Sequence, residues 1–281
     1  MLKIALPNKG SLADDSIKIL SDAGYRQRND SRDLVTIDAE NGIEFYYLRP
    51  RDIAIYVSSG ELDLGITGED LLVDSGVSAS ILLKLGYGKS TFRFALPTGQ
   101  ANGADESALN GKRIATSYPG ILRQALDRLS IKANIVPLDG AVESSIKLGV
   151  ADAIADVVST GTTLRQAGLT VIGSAILESE AVLIGAKETN DESANLIRRL
   201  SGVIIARQYV LMDYDIKSAL IDQACALTPG FESPTISPLR TEGWSAIRAM
   251  VPRKSAQKVM DDLWAIGARG ILVTDIHACR L

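Results

Sequence analysis

The stretches 58-SSGELDLGITGEDLL-72 and 147-KLGVADAIADVVSTGTTL-164 decide the fold between them. In each, a helix runs out at a glycine, Gly60 or Gly149, the residue type favoured just past a helix C-terminus. An aspartate follows three residues later, Asp63 or Asp152. A short apolar strand comes next. It ends in a Thr-Gly loop, Thr67-Gly68 or Thr160-Gly161, that opens a new helix. A second pair, 3-KIALPNKGSL-12 and 113-RIATSYPGIL-122, aligns without a gap: Lys3 meets Arg113, and Ile4, Ala5, Gly10 and Leu12 meet Ile114, Ala115, Gly120 and Leu122. Short matches also arise between unrelated βαβ units. Two of them in the same chain order favour a duplicated architecture, with two α/β lobes whose strand-to-helix loops face each other. Ligands of open α/β sheets bind at the carboxyl ends of the strands. The cleft between the lobes is therefore the expected site.

Residues 90–96 (STFRFAL) read as a strand near the switch between lobes, and 181-AVLIGAK-187 as another. Residues 191–207 read as a helix with Leu196, Ile197, Leu200, Val203 and Ile204 on one stripe. The tail differs. A strand at 209–215, a helix at 216–227, a short strand at Pro234–Ser237, a strand at 244–252, a helix at 254–267 and a strand at 270–276 give the order βαββαβ, a ferredoxin-like unit. The expected division is 1–90 with 180–208 as lobe I, 91–179 as lobe II and 209–281 as a C-terminal domain.

The 281 residues are 46% hydrophobic and 23% charged, enough for a sizeable core and about two domains. The net charge of −4 offers no broad basic field for nucleic acid or an anionic membrane. No apolar run approaches the ~20 residues of a membrane helix. The start, MLKIALPNKG, reads as a strand and turn and not as a secretory signal. Cys225 and Cys279 are the only cysteines and His277 the only histidine. Zinc and disulfide frameworks are not expected, and two reduced thiols suit a cytoplasmic protein.

The segment after Asp152 carries the chemistry. Backbone N–H groups of a glycine-containing loop at a helix start attract anions. Ser159, Thr160, Thr162 and Thr163 add hydroxyl donors, and Gly161 permits close approach and a positive φ. Asp152 and Asp156 repel phosphate, so beside such a loop they suit sugar hydroxyls or Mg²⁺. The same loop also reads as a helix start rich in capping residues. No Gly-Lys-Ser/Thr follows, so it is not a P-loop. Lys9 and Gly10 fall in the first strand-to-helix loop, and Arg49 and Arg51 flank Pro50 at a helix start. These cations suit phosphate oxygens or, equally, an exposed surface. Asp70 opens the next helix; Tyr118 lies in the matching loop of lobe II, to stack on a base or to pack. Glu143 faces the cleft or sits on a helix.

Together with 228-TPGFESPTISPL-239, these segments resemble the long form of the ATP phosphoribosyltransferase family, the first enzyme of histidine biosynthesis, over essentially the whole chain. The resemblance implies a two-lobed core like a type II periplasmic binding protein, with the active site in the cleft. It implies that Ala155–Thr163, including Val158, cradles the 5-phosphate of phosphoribosyl pyrophosphate (PRPP). Asp156 and Glu143 match acids near the ribose and Mg²⁺. Lys9, Arg49, Asp70, Leu71 and Tyr118 match positions lining the nucleotide. The tail resembles a regulatory domain that binds histidine between subunits of a hexamer, with Asp215 and Thr235 near its polar groups. Short-form relatives lack this tail and need a separate regulatory subunit. ATP and PRPP as substrates, histidine as allosteric inhibitor, AMP as competitive inhibitor and a homo-oligomer between dimer and hexamer follow from the resemblance.

The implied reaction joins N1 of adenine to C1 of the phosphoribosyl group. N1 already carries a lone pair, so no strong general base is required, in keeping with the absence of a Ser/His/Asp or Cys/His set. His277 is expected at a surface or interface of the tail. The alternative is a two-lobed solute-binding or amino-acid-sensing protein without catalysis, which would carry a secretion signal or a DNA-binding helix-turn-helix; neither is visible.

Overall fold

The computed structural model describes residues 1–159, 161–185 and 191–280. It divides into two compact units, Met1–Ser21 with Tyr25–Ala194, and Asp22–Gly24 with the chain from Asn195 onward.

The first unit holds two sheets. One consists of β1 (Leu2–Pro7), β2 (Val35–Asp38), β3 (Ile43–Leu48), β4 (Leu64–Gly68), β5 (Ser80–Lys84) and β11 (Ala181–Gly185), in the order β2-β3-β1-β4-β11-β5. The other consists of β6 (Ser90–Pro97), β7 (Arg113–Thr116), β8 (Asn134–Pro137), β9 (Ala153–Val158) and β10 (Leu169–Ser179), in the order β10-β6-β9-β7-β8. The same plan appears twice. β1 runs parallel between β3 and β4, and β7 runs parallel between β8 and β9. An antiparallel strand then flanks the third member, β11 beside β4 and β6 beside β9. This is the two-lobed, type II periplasmic-binding-protein-like arrangement.

Local chemistry explains the elements. Ile4, Ala5 and Leu6 on β1 are fully buried, as a parallel strand covered on both faces requires. Helix α1 (Ser11–Asp22) follows β1, and α2 (Pro50–Ser58) follows β3 with proline in its first turn, where the missing N–H does no harm. Helix α3 (Glu69–Ser75) follows β4, α4 (Thr98–Ala101) follows β6, and α5 (Pro119–Leu129) follows β7. Helix α6 (Ser144–Lys147) precedes β9 and α7 (Thr162–Gln166) follows it. Phe92, Phe94, Ile114 and Leu122 are buried together in the second lobe. Each such side chain contributes roughly 1.5–3 kcal/mol.

The repeated Gly-x-x-Asp signal has a structural meaning. Gly60 and Gly149 follow α2 and α6 with φ of +83° and +67°. The next aspartate then ties the strand it precedes to its neighbour. Asp63 Oδ2 accepts the Lys3 N–H at 2.7 Å, and Asp152 Oδ2 accepts the Arg113 N–H at 2.9 Å. Asp152 also pairs with the Arg113 guanidinium at 2.8 Å. That guanidinium holds its carboxyl down at about 2.

Helix α8 (Asp191–Gln208) runs into the second unit, with Leu196, Leu200 and Val203 fully buried. Beyond it come β12 (Tyr209–Lys217), α9 (Ile221–Leu227), β13 (Thr235–Pro238), β14 (Trp244–Pro252), α10 (Ala256–Ala265) and β15 (Arg269–Asp275). The sheet order β13-β14-β12-β15, antiparallel throughout, is that of a ferredoxin-like domain. Among the tail's elements one boundary moves by more than two residues from the sequence reading. The strand continues to Lys217 and the helix begins only at Ile221, after the 3₁₀ turn Ser218–Leu220. The cause is period two: Val210, Met212, Tyr214 and Ile216 all point into the domain core, so Ile216 is the last strand residue of the series and not the first of a helix.

Candidate active site

All the strand-to-helix loops singled out from the sequence in the first lobe lie along one edge of its sheet. Lys9 and Gly10 follow β1, Arg49 follows β3, and Glu69 and Asp70 follow β4. The first two loops run side by side, with the Asn8 N–H donating to Leu48 O at 2.8 Å. Lys9 and Arg49 are both exposed there. Thr67 Oγ1 donates to Pro50 O at 2.8 Å, fixing the start of α2 against the end of β4. In the second lobe the corresponding edge carries Ser117 and Tyr118 after β7, the segment 138–143 after β8 and Ser159 after β9. The Gly140 N–H donates to Ser117 Oγ at 3.1 Å and brings two of these loops together.

The two edges meet around Tyr118. Asp70 is buried, and burial is the main reason its carboxyl titrates above the usual range. Its Oδ1 accepts the Leu71 N–H at 2.9 Å and its own N–H donates to Ser179 Oγ at 3.0 Å, with the Tyr118 phenol close enough to feel its charge. Burial, then the charges of Asp70 and Asp156, push the Tyr118 phenol well above its ordinary value. The Tyr118 ring meets Phe92 edge-on at 5.6 Å, and the Arg51 guanidinium lies 5.2 Å from its centroid. Arg51 and Phe92 thus already pack against this ring, for which the sequence left base stacking and packing both open.

Asp156 sits at the end of β9, mostly enclosed, with Oδ1 accepting the Val157 N–H at 2.8 Å. Burial raises its carboxyl to about 6, helped by the negative charges of Glu143 and Asp70. Ser159, Gly161, Thr162 and Thr163 follow, and Gly161 takes φ of +69° as the residue before α7. Thr160 lies outside the described residues. Ala155 is fully buried in the second lobe's apolar core, and Val158 is partly buried. Beside Ser159 a pocket of about 330 Å³ is lined by Glu69, Lys84, Lys89, Thr91, Val158 and Ser179.

Two expectations change. Asp152 is not part of this group. It stands at the opposite end of β9 from Ser159, bound to Arg113, because the residue just before a strand meets the edge that faces away from the cleft. Arg51 is not a free cation. Nη1 bonds Asp74 at 2.6 Å and Nη2 bonds Ser117 O at 2.6 Å. Sequence reasoning missed Asp74 altogether. The available signal was helical spacing: Asp74 lies four residues after Asp70, on the same face of α3. Ser179, the partner of the Asp70 N–H, carried no sequence signal.

The acid pair bears on Mg²⁺. Glu143, half-buried at the residue before α6, acts on Asp156 through its charge. Among the described residues no three His, Cys, Asp or Glu side chains converge as a metal cage. One or two carboxylates completed by substrate phosphates and water is the usual magnesium arrangement, and this pair fits it. In the tail, Asp215 on β12 and Thr235 on β13 lie on the sheet face away from the buried Met212, Tyr214 and Ile216, with β14 between them. His277 is exposed.

A duplicated α/β core with Lys9, Arg49 and Asp70 along one strand edge, and Asp156 and a hydroxyl loop along the other, is the arrangement of the two-lobed, periplasmic-binding-protein-like class. The family model HisG, ATP phosphoribosyltransferase, matches residues 49–204, and HisG, C-terminal domain, matches 206–278. ATP phosphoribosyltransferase of Paenarthrobacter aurescens is 58% identical over 288 residues, and that of Streptomyces avermitilis 57% over 287, each covering 100% of both chains. A solved structure of the HisG:HisZ complex from Thermotoga maritima matches with a TM-score of 0.62 at 24% identity, covering 72% of this chain and 97% of that one. The chain belongs to the ATP phosphoribosyltransferase family, transferases of histidine biosynthesis.

Proposed function

We propose that the chain transfers the 5-phosphoribosyl group of PRPP to N1 of ATP, giving N1-(5-phospho-β-D-ribosyl)-ATP and pyrophosphate, and that histidine inhibits it through the C-terminal domain. The observation that carries this reading is the meeting of Asp70, Tyr118 and Asp156, from both lobes, in one cleft of a chain from this family.

The N1 lone pair forms the bond to C1 as the C1–O bond breaks and its electron pair leaves with pyrophosphate. Two polyanions must be held in line, and orientation alone contributes on the order of 7–11 kcal/mol at best. Lys9 and Arg49 supply exposed positive charge at the first lobe's edge for the nucleotide phosphates. The loop Ser159–Thr163 supplies hydroxyls and backbone N–H groups for the 5-phosphate, and Asp156 accepts from ribose hydroxyls as positive charge grows at C1. Glu143 and Asp156 would hold Mg²⁺ together with the substrate phosphates; bound there, it neutralises charge on the leaving pyrophosphate. Asp70 and Leu71 border the nucleotide, with AMP competing for the same place.

In the tail, Asp215 offers a carboxylate to an amino-acid ammonium and Thr235 a hydroxyl, on an open sheet face suited to pairing between copies in a homo-oligomer. A cytoplasmic setting fits a nucleotide- and PRPP-dependent reaction. The test is pyrophosphate release from purified protein with ATP, PRPP and Mg²⁺. Release that needs both substrates and falls with added histidine supports both halves of the reading. Release indifferent to histidine removes the regulatory half, and no release removes the whole.

A further inference from the structure

Asp74, in the last turn of α3, joins the lobes. Its side chain is only 5% exposed. Oδ1 accepts the Gly120 N–H at 2.7 Å and the Ile121 N–H at 3.2 Å, in the first turn of α5 in the other lobe. The residue before that helix, Tyr118, provides no side-chain cap of its own. A first turn leaves N–H groups without intrahelical partners, and here an acid from the opposite lobe accepts two of them. Oδ2 pairs with Arg51 Nη1 at 2.6 Å, and Arg51 reaches on to Ser117 O. The approach is close enough that a Cβ on Gly120 would collide with the Asp74 backbone oxygen. One buried carboxylate thereby binds α3, the Arg51 guanidinium and the turn that carries Tyr118.

We infer that Asp74 is a positioning residue that holds the second lobe's Ser117–Gly120 turn against the first lobe and so keeps the cleft in its substrate-binding arrangement. This rests on the proposed transferase reading for its kinetic readout only. The consequence is specific. If the tie maintains the fraction of molecules that can bind, losing it lowers that fraction, raises the apparent KM by the inverse factor and leaves the saturated rate intact. Asp74→Ala removes both the cap and the ion pair. Asp74→Asn retains an oxygen able to accept from Gly120 and loses the charge facing Arg51.

The experiment compares wild type, Asp74→Ala, Asp74→Asn, Arg51→Gln and the Asp74→Asn/Arg51→Gln double variant. It measures KM for ATP and PRPP, kcat, and the radius of gyration of the unliganded protein by small-angle X-ray scattering. The expected result is KM for both substrates up about tenfold in Asp74→Ala, with kcat within about threefold of wild type, corresponding to one to two lost charge-assisted bonds. Asp74→Asn is expected to lie between, the double variant to exceed neither single by more than a small factor, and the radius of gyration to rise in Asp74→Ala. A drop in kcat at unchanged KM, the mark of a merely damaged fold, would overturn the proposal, as would multiplicative effects in the double variant. Should Asp74→Ala fail to fold, Asp74→Asn and Arg51→Gln decide by the same criteria. Should wild type show no turnover, the transferase reading fails and the scattering comparison still decides: an unchanged radius overturns the tie, an increased one supports it.

Discussion

Asp70 and Asp156 belong to different lobes, yet their carboxylates share one space: the charge of Asp70 helps to raise Asp156, and both charges raise the Tyr118 phenol between the lobes. Two buried acids and one arginine that is already engaged leave this region short of positive charge. A substrate that brings sugar hydroxyls and Mg²⁺ relieves that imbalance, which makes the cleft costly when empty and favourable when filled.

Asp156 should therefore carry a measurable stability penalty. Its folded value, about 6, lies above its unfolded reference of 3.8. The protonated form is favoured by the fold, so this contribution is fully present below about pH 4 and is lost as pH rises through 6. The difference corresponds to on the order of 3 kcal/mol. Asp156→Asn should be more stable than wild type at pH 7.5, by denaturant unfolding, with the gap closing below pH 4. The same variant should lose turnover. The acid limb of kcat/KM near pH 6 should be steeper in wild type than in the variant, since substrate phosphates titrate in both.

Asp152 gives the contrasting case. Its partner is Arg113, and it lies at the edge of the sheet away from the cleft. Asp152→Ala should lower stability by about 1 kcal/mol while KM for PRPP stays within about twofold. A large rise in KM would return this residue to the phosphate-loop group.

Gly120 is required by proximity and not by backbone conformation. A Cβ there meets the backbone oxygen of Asp74, which has no rotamer by which to retreat. Gly120→Ala should destabilise by about 1–3 kcal/mol and lower the thermal unfolding midpoint. An unchanged midpoint would mean that α3 and α5 separate more readily than the bonds to Asp74 indicate.

The histidine reading of the tail is tested by Asp215→Ala. The concentration of histidine that halves turnover should rise at least tenfold, read as the ratio of rates with and without histidine in the same variant. An unchanged ratio would move the inhibitor to another surface.

Much of the plan was legible from two repeated segments. Gly60 and Gly149 are both positive-φ glycines just past a helix, and the strands that follow occupy equivalent places in their sheets. Local signals of this kind survive because turns, caps and strand periods are set by neighbours in sequence. What failed was orientation and partnership. Asp152 and Asp156 are four residues apart on one apolar run, and nothing in that run says that one end faces the cleft while the other meets Arg113. Arg51 looked like a phosphate ligand because its partner, Asp74, lies 23 residues away in sequence. Ile216 shows the remaining weakness: a residue at the junction of a period-two and a helical pattern is claimed by both, and burial in the tail core decides for the strand.

Transfer of a phosphoribosyl group to adenine N1 changes the chromophore, so near-ultraviolet absorbance reads the proposed reaction itself. The purified protein is mixed with ATP, PRPP and Mg²⁺, with pyrophosphatase present to draw the reaction forward. Absorbance from N1-alkylated adenine should rise only when both substrates are present, and the rise should be suppressed in Asp156→Asn. No rise from well-folded protein would contradict the proposed transfer and leave a cleft that binds nucleotide without reaction.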